Sequence, residues 1–137
     1  MARSRPRCDI DGNVEKARLT EICHALPEVT SEGHEPHVIY TVRGRNFAYF
    51  QEDHHGDGRV ALVCKAPPGE NAALVATDPV RFFTPSYVGR RGWIGLRLDT
   101  GSVDWAEVAE LVHDSYRLVA PKRLAREHSD INRRGTP

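Results

Sequence analysis

Side chains able to hold a metal, move a proton or grip a phosphate fall into a few groups along this chain. The seven histidines raise the metal question first. His34 and His37 stand three apart with Glu32 and Glu35 nearby, and His54 and His55 are adjacent between Asp53 and Asp57. Zinc takes about four tetrahedral ligands, often His or Cys, each steadied by an outer partner. Neither pair has such ligands beside it in sequence. Both read as polar loop and hairpin-tip residues, and no metal or other cofactor is expected. His113 and Ser115 share a helical pattern but are two apart, so their side chains diverge. No GxSxG elbow, no GxGxxG after a strand and no GKS/T loop occurs. Glu52 and Asp53 read as hairpin surface. No catalytic set is assembled, and a non-enzymatic role is expected.

The arginines remain. The stretch TPSYVGRRGWIGLRLDTG, Thr84 to Gly101, holds four glycines, Arg90, Arg91 and Arg97, with Tyr87 and Trp93 among them. Guanidinium groups pair with phosphate oxygens in a bidentate manner, and an aromatic ring can stack on a base. If Arg90, Arg91, Arg97, Arg117, Lys122 and Arg123 share a surface with Tyr87 and Trp93, a phosphate-bearing partner is the chemistry they suit. The competing reading pairs Arg91 and Arg97 with acidic neighbours and puts Tyr87 and Trp93 in the core or at its rim. Gly89 and Gly92 give the turn its backbone freedom, whereas Gly95 sits inside a strand pattern and predicts close packing against a helix or a ring.

The elements that must position these residues can be read from periodicity. NVEKARLTEICHALPEV predicts a helix over 13–26 with Val14, Arg18, Ile22 and Leu26 on one stripe, Leu19 and Cys23 beside it, and Pro27 as its stop. TSEGHEP reads as a loop. HVIYTVR, NFAYFQE and RVALVCK read as three strands with short links, an antiparallel meander. In NFAYF, Phe47 and Tyr49 are expected on one face, with Ala48 and Phe50 on the other. APPGENAALVATDP turns and then forms a short helix. VRFFTP is short and extended, SYVGRRG is a turn, and WIGLRLD alternates as a half-buried strand. DWAEVAELVHDSYRLV carries Trp105, Val108, Ala109, Val112, Tyr116 and Val119 on one helical stripe, with Asp104 and Glu107 as a capping pair. The order α-β-β-β-α-β-β-α predicts an α+β fold, an antiparallel sheet covered by helices.

At 137 residues the chain is long enough for one domain with a true core. Residues 1–12 are expected to be a flexible basic segment, 13–126 the domain, and 127–137 a flexible tail. No run approaches the roughly 18 apolar residues of a membrane span, and the basic start MARSRPRCDIDG has no apolar stretch behind it. A cytoplasmic protein without membrane association is expected. Cys8, Cys23 and Cys64 make an odd count without a CxxC pair, so no disulfide framework is expected; Cys23 and Cys64 fall on apolar patterns and predict buried thiols. The formal net charge is zero. It conceals an excess of 17 acidic over 11 basic residues in 8–119, set against basic ends.

Three segments resemble the MmcQ/YjbR family. They are ICHALPEVTSEGHEPHVIYTVRGRNFAYF, DPVRFFTPSYVGRRGWIGLRLD and VAELVHDSYRLVAPKRL. The second carries a Phe-x-Pro-x-Tyr-x-Gly-x-x-Gly-Trp-x-x-x-x-Leu pattern at Phe83, Pro85, Tyr87, Gly89, Gly92, Trp93 and Leu98. The resemblance covers about residues 14–126. It implies a small α+β fold of the CyaY and frataxin kind and a DNA-binding, "double-wing" description, but no established catalytic residues. GHEPH departs from the aromatic-glycine-proline step usual in the early loop. The first helix sets Glu15 and Glu21 against Lys16 and Arg18, so the acidic helix of frataxin-type iron binding is not expected. The function expected from residues and resemblance together is a non-enzymatic nucleic-acid-binding domain that contacts phosphates through the arginine-bearing glycine turn and the basic C-terminal region. The alternative is a small-molecule or protein interaction module with a groove near Tyr87, Arg90, Trp93 and Lys122.

Overall fold

Between Val29 and Lys65 the chain alternates β-rich runs with short turns, and in the computed structural model these runs pair as neighbours. The structure describes residues 13–33, 37–52, 59–86 and 88–127. Strands β1 (Val29–Glu32), β2 (Val38–Val42), β3 (Arg45–Glu52), β4 (Val60–Lys65), β5 (Phe82–Phe83) and β6 (Trp93–Arg97) form one six-stranded sheet. Its order is β1-β2-β3-β4-β6-β5, and every pairing is antiparallel. Helices α1 (Asn13–His24), α2 (Glu70–Thr77) and α3 (Trp105–Val119) precede, interrupt and follow the strands, and a last helical stretch, α4, spans 122–127. The α+β class and the antiparallel sheet agree with the sequence reading.

One strand is additional. Residues 30–32, read as loop, extend from Val29 as the edge strand β1, in register with β2 from Val29↔Val42 to Glu32↔Ile39. Thr30, Ser31 and Glu32 are all exposed, so no apolar alternation marks them. Backbone pairing and the 2.8 Å contact between the Thr30 and Thr41 hydroxyls hold the strand instead.

Helices α1 and α3 cover one face of the sheet. On α1 the buried residues are Leu19 and Cys23, with Leu26 buried in the turn just after it, whereas Val14 is 62% exposed and Arg18 is exposed. The docked stripe is therefore turned from the expected one. Arg18 lies along the helix flank, 5.3 Å over the Trp105 ring. On α3, Val108, Val112 and Tyr116 are buried as the periodicity predicts, with Ser115 beside them. The Asp104 carboxylate accepts from the Ala106 and Glu107 amides, which caps the helix. Glu107 does not close a capping box; its carboxylate turns to the Arg81 guanidinium, which also holds Asp78. That pairing ties the start of β5 to α3.

A β-bulge explains a second departure. Tyr40 pairs with Ala48 but Thr41 pairs with Asn46, so Phe47 is the extra residue of β3. Released from alternation, Phe47 leaves the side of Tyr49 and packs edge-on against Tyr116, with centroids 5.7 Å apart. The other face of the sheet carries Tyr49 against Trp93 at 5.3 Å, and Phe83 against Gly95. A Cβ on Gly95 would come within 2.4 Å of the Phe83 ring. This stacking leaves Trp93 only 7% exposed and buries Gly95, so β6 is covered on both faces and not half-buried. Cys23 and Cys64 are buried free thiols. Burial pushes the Cys64 thiol up to about 12, out of reach of ionisation at neutral pH.

Candidate functional site

The turn before β6 is built by its backbone. The Gly89 amide donates to the Pro85 carbonyl at 3.0 Å, and the Arg91 and Trp93 amides both donate to the Val88 carbonyl. A single 3-10 turn, Gly89–Arg91, follows, and Gly92 closes it at φ 91°, a left-handed conformation that favours glycine. Gly89 allows a close approach, since a Cβ there would lie 2.5 Å from the Thr84 methyl. The Gly92 carbonyl accepts from the Ala66 amide at 3.1 Å. From the first turn of α2 the Asn71 side-chain amide donates to the Gly89 and Trp93 carbonyls, each at 3.2 Å. With its carbonyls engaged, the turn presents the side chains of Arg90 and Arg91 outward, both exposed.

Those two arginines open onto a cavity of about 530 Å³. Register Lys65↔Trp93 brings the end of β4 alongside, and Lys65 becomes the third cation of the lining. Pro68, Ala66 and Leu118 supply an apolar wall; Leu118, near the end of α3, is 40% exposed. Among the described residues, Lys65, Arg90 and Arg91 have no ion-pair partner. Three unneutralised cations on a concave, partly apolar surface can hold an anion that carries an organic moiety.

The remaining sequence candidates do not join this cluster. Arg97 lies four residues along β6 from Trp93, about 13 Å away at strand rise, and pairs with Asp99 at 3.0 Å. Arg117 pairs with Asp114 on its own helix, and Arg123 lies 3.9 Å from Glu127. Lys122 is exposed on α4 and does not line the cavity. Trp93 is committed to its stack with Tyr49. Tyr87 lies outside the described residues. Lys65 and Leu118 were not singled out from the sequence. Only the pairing of β4 with β6, which are not consecutive in the chain, carries Lys65 to the turn.

The strand register also gathers cations at one end of the sheet. At the end that bears the cavity lie Arg43, Arg45, Lys65, Arg90 and Arg91, beside the close of α3 and α4. Arg43 is held by Glu28 through two nitrogens, at 2.5 and 3.2 Å, which lowers the Glu28 carboxyl below its ordinary value. Arg45 has no ion-pair partner among the described residues. Glu32, Glu52 and Asp99 sit at the opposite end, together with Arg59 and the Asp99-paired Arg97.

A second cavity, about 540 Å³, lies between α1 and the β1–β2 edge. There His24 Nε2 and the Ser31 hydroxyl are 2.9 Å apart. A base within reach of a hydroxyl is one part of a nucleophilic pair, but among the described residues no group hydrogen-bonds the other His24 nitrogen to orient it. Of the metal candidates, His37 Nε2 lies 3.0 Å from the Glu52 carbonyl, while His34, His54 and His55 lie outside the described residues. No group of three metal-ligating side chains occurs among the described residues. No helix there is long and apolar enough to cross a membrane.

Comparison with known proteins places this arrangement. A crystal structure of the Deinococcus radiodurans protein DR2400, described by the domain DUF419, is similar with a TM-score of 0.60. The two are 22% identical, over 77% of this chain and 76% of that one, so the likeness is one of fold. No curated protein matches the chain significantly. The YjbR family model matches residues 24–118, from the end of α1 to the end of α3, and so takes in the whole sheet and the arginine turn. By that match the chain belongs to the YjbR family.

Proposed function

We propose that this domain is a non-enzymatic nucleic-acid-binding module that contacts phosphates through Lys65, Arg90 and Arg91. The observation that carries the reading is the convergence of these three cations on one cavity, with no ion-pair partner among the described residues. Arg45 and Lys122, at the same end of the fold, extend the positive surface beyond the cavity. The DNA-binding description implied by the family resemblance points the same way. Glu32, Glu52 and Asp99 stand at the far end of the sheet from this surface, so a zero net charge does not oppose local phosphate contact.

The test is binding of a labelled generic DNA duplex across a salt series. Each phosphate contact releases counterions, so three contacts predict a log–log salt slope near −2.7, about −0.9 for each contact. Arg90→Ala/Arg91→Ala should flatten it to about −0.9 on the same rule. No binding at low salt, or a slope indifferent to the double substitution, would refute the reading. The cavity itself favours a second reading, a small anionic ligand. Its volume of about 530 Å³ lies in the range of small-molecule clefts, and Leu118 offers an apolar wall. On that reading the duplex does not bind, and the small ligand binds with a weak salt slope.

A further inference from the structure

The shape of the cation cluster narrows what kind of phosphate it suits. Arg90, Arg91 and Lys65 surround a concavity and do not line a ridge. An internal phosphodiester carries one negative charge and continues as sugar on both sides, so it meets a convex ridge or an open groove readily. To enter a concavity it must bring both flanks with it. A terminal phosphomonoester continues on one side only, and with a second pKa near 6 it carries roughly −1.5 to −2 at neutral pH. Three cations exceed the charge of one diester and come close to matching such a dianion together with the next phosphate of the chain.

The rest of the wall agrees. At Gly92 the wall is bare backbone, packed so that a Cβ would meet the Ala66 carbonyl at 3.7 Å, an ordinary contact distance. The Asn71 amide is engaged by the turn and its carbonyl oxygen accepts the Ala72 amide, so this side chain holds the wall in place. Across the cavity, Leu118 and Pro68 give an apolar surface on which a nucleoside can rest. We infer that the cavity takes the phosphomonoester of a nucleotide, with the three cations on the phosphate and the apolar wall against its sugar or base. This inference rests on the phosphate-contacting reading and names the group recognised. Its source is either the phosphorylated end of a strand or a free nucleoside monophosphate.

The experiment compares one oligonucleotide sequence in two forms, 5′-phosphorylated and 5′-hydroxyl, with adenosine monophosphate and adenosine as competitors. The phosphorylated strand should bind about 10- to 100-fold more tightly, the gain expected of one further charge-assisted hydrogen bond or two. The preference should grow as pH rises through 6, where the monoester gains its second charge. Leu118→Glu, at an exposed position, should abolish the preference without unfolding the domain, and Lys65→Met should reduce it. Equal affinity for the two strands overturns the inference and leaves general phosphate contact standing. Binding of the monophosphate but of neither strand supports the inference and overturns the nucleic-acid reading. If adenosine competes as well as its monophosphate, the phosphate is not what the cavity recognises, and the inference fails.

Discussion

The buried Ser115 hydroxyl donates to the Phe47 carbonyl at 2.6 Å and accepts the Lys65 amide at 2.9 Å. It thereby satisfies two backbone groups left over by the bulge in β3 and by the end of β4. Ser115→Ala would leave both without a partner in a dry place, and the expected loss is about 1–3 kcal/mol of stability. Because one of the two is Lys65, the same variant should weaken anion binding at the cavity. Urea unfolding, run beside the DNA titration, measures both effects, and an unchanged midpoint would contradict the first. Gly95 is a comparable case on the opposite face. Gly95→Ala drives a methyl group into the Phe83 ring and should destabilise by about 1–3 kcal/mol. A thermal midpoint equal to the parent's would show that the ring moves aside freely. The need for glycine at 95 was legible in the sequence, because a glycine inside an alternating strand calls for a close neighbour. The role of Ser115 was not. A serine on an apolar helix stripe gives no sign of which distant carbonyl it will meet.

Helix α3 and the strands β2, β4 and β6 could be placed from periodicity because each carries enough apolar residues to set its own phase. Strand β1 could not, since Thr30, Ser31 and Glu32 all face water and only pairing makes them a strand. The turned stripe of α1 has a related cause. Leu19 and Cys23 compete with the stripe of Val14, Arg18 and Ile22, and the docking surface takes the former, with Ile22 only partly buried. The joint between β5 and α3 depends on charge. Asp78 is held below its ordinary value, first by its bond to the Arg81 side chain. A depressed folded value favours folding above the ordinary value, near pH 3.9, and that contribution is lost as pH falls further toward the folded value. Urea midpoints taken from pH 7 to pH 2 should therefore drop at the acid end. In Arg81→Gln the drop should be shallower, because Asp78 no longer gains from ionising beside a cation. Parallel curves for the two proteins would remove the Arg81 pairings as a source of acid sensitivity.

The sequence showed an acidic body with basic ends, but not how the body divides. Antiparallel register performs that division, since Arg45, Lys65, Arg90 and Arg91 come from three different strands or turns and meet only when those strands are aligned. Likewise, Arg97 and Arg117 looked equivalent to Arg90 and Arg91 as sequence, and only the folded chain gives them carboxylates within reach. Gathering Lys65, Arg90 and Arg91 on one cavity gives a chain of zero formal charge a local positive patch among its described residues. A neutral molecule with one positive patch is drawn to a polyanion only after it has turned that patch forward, and the attraction decays faster with distance than attraction between net charges. Encounter should thus be an act of orientation over the last Debye length.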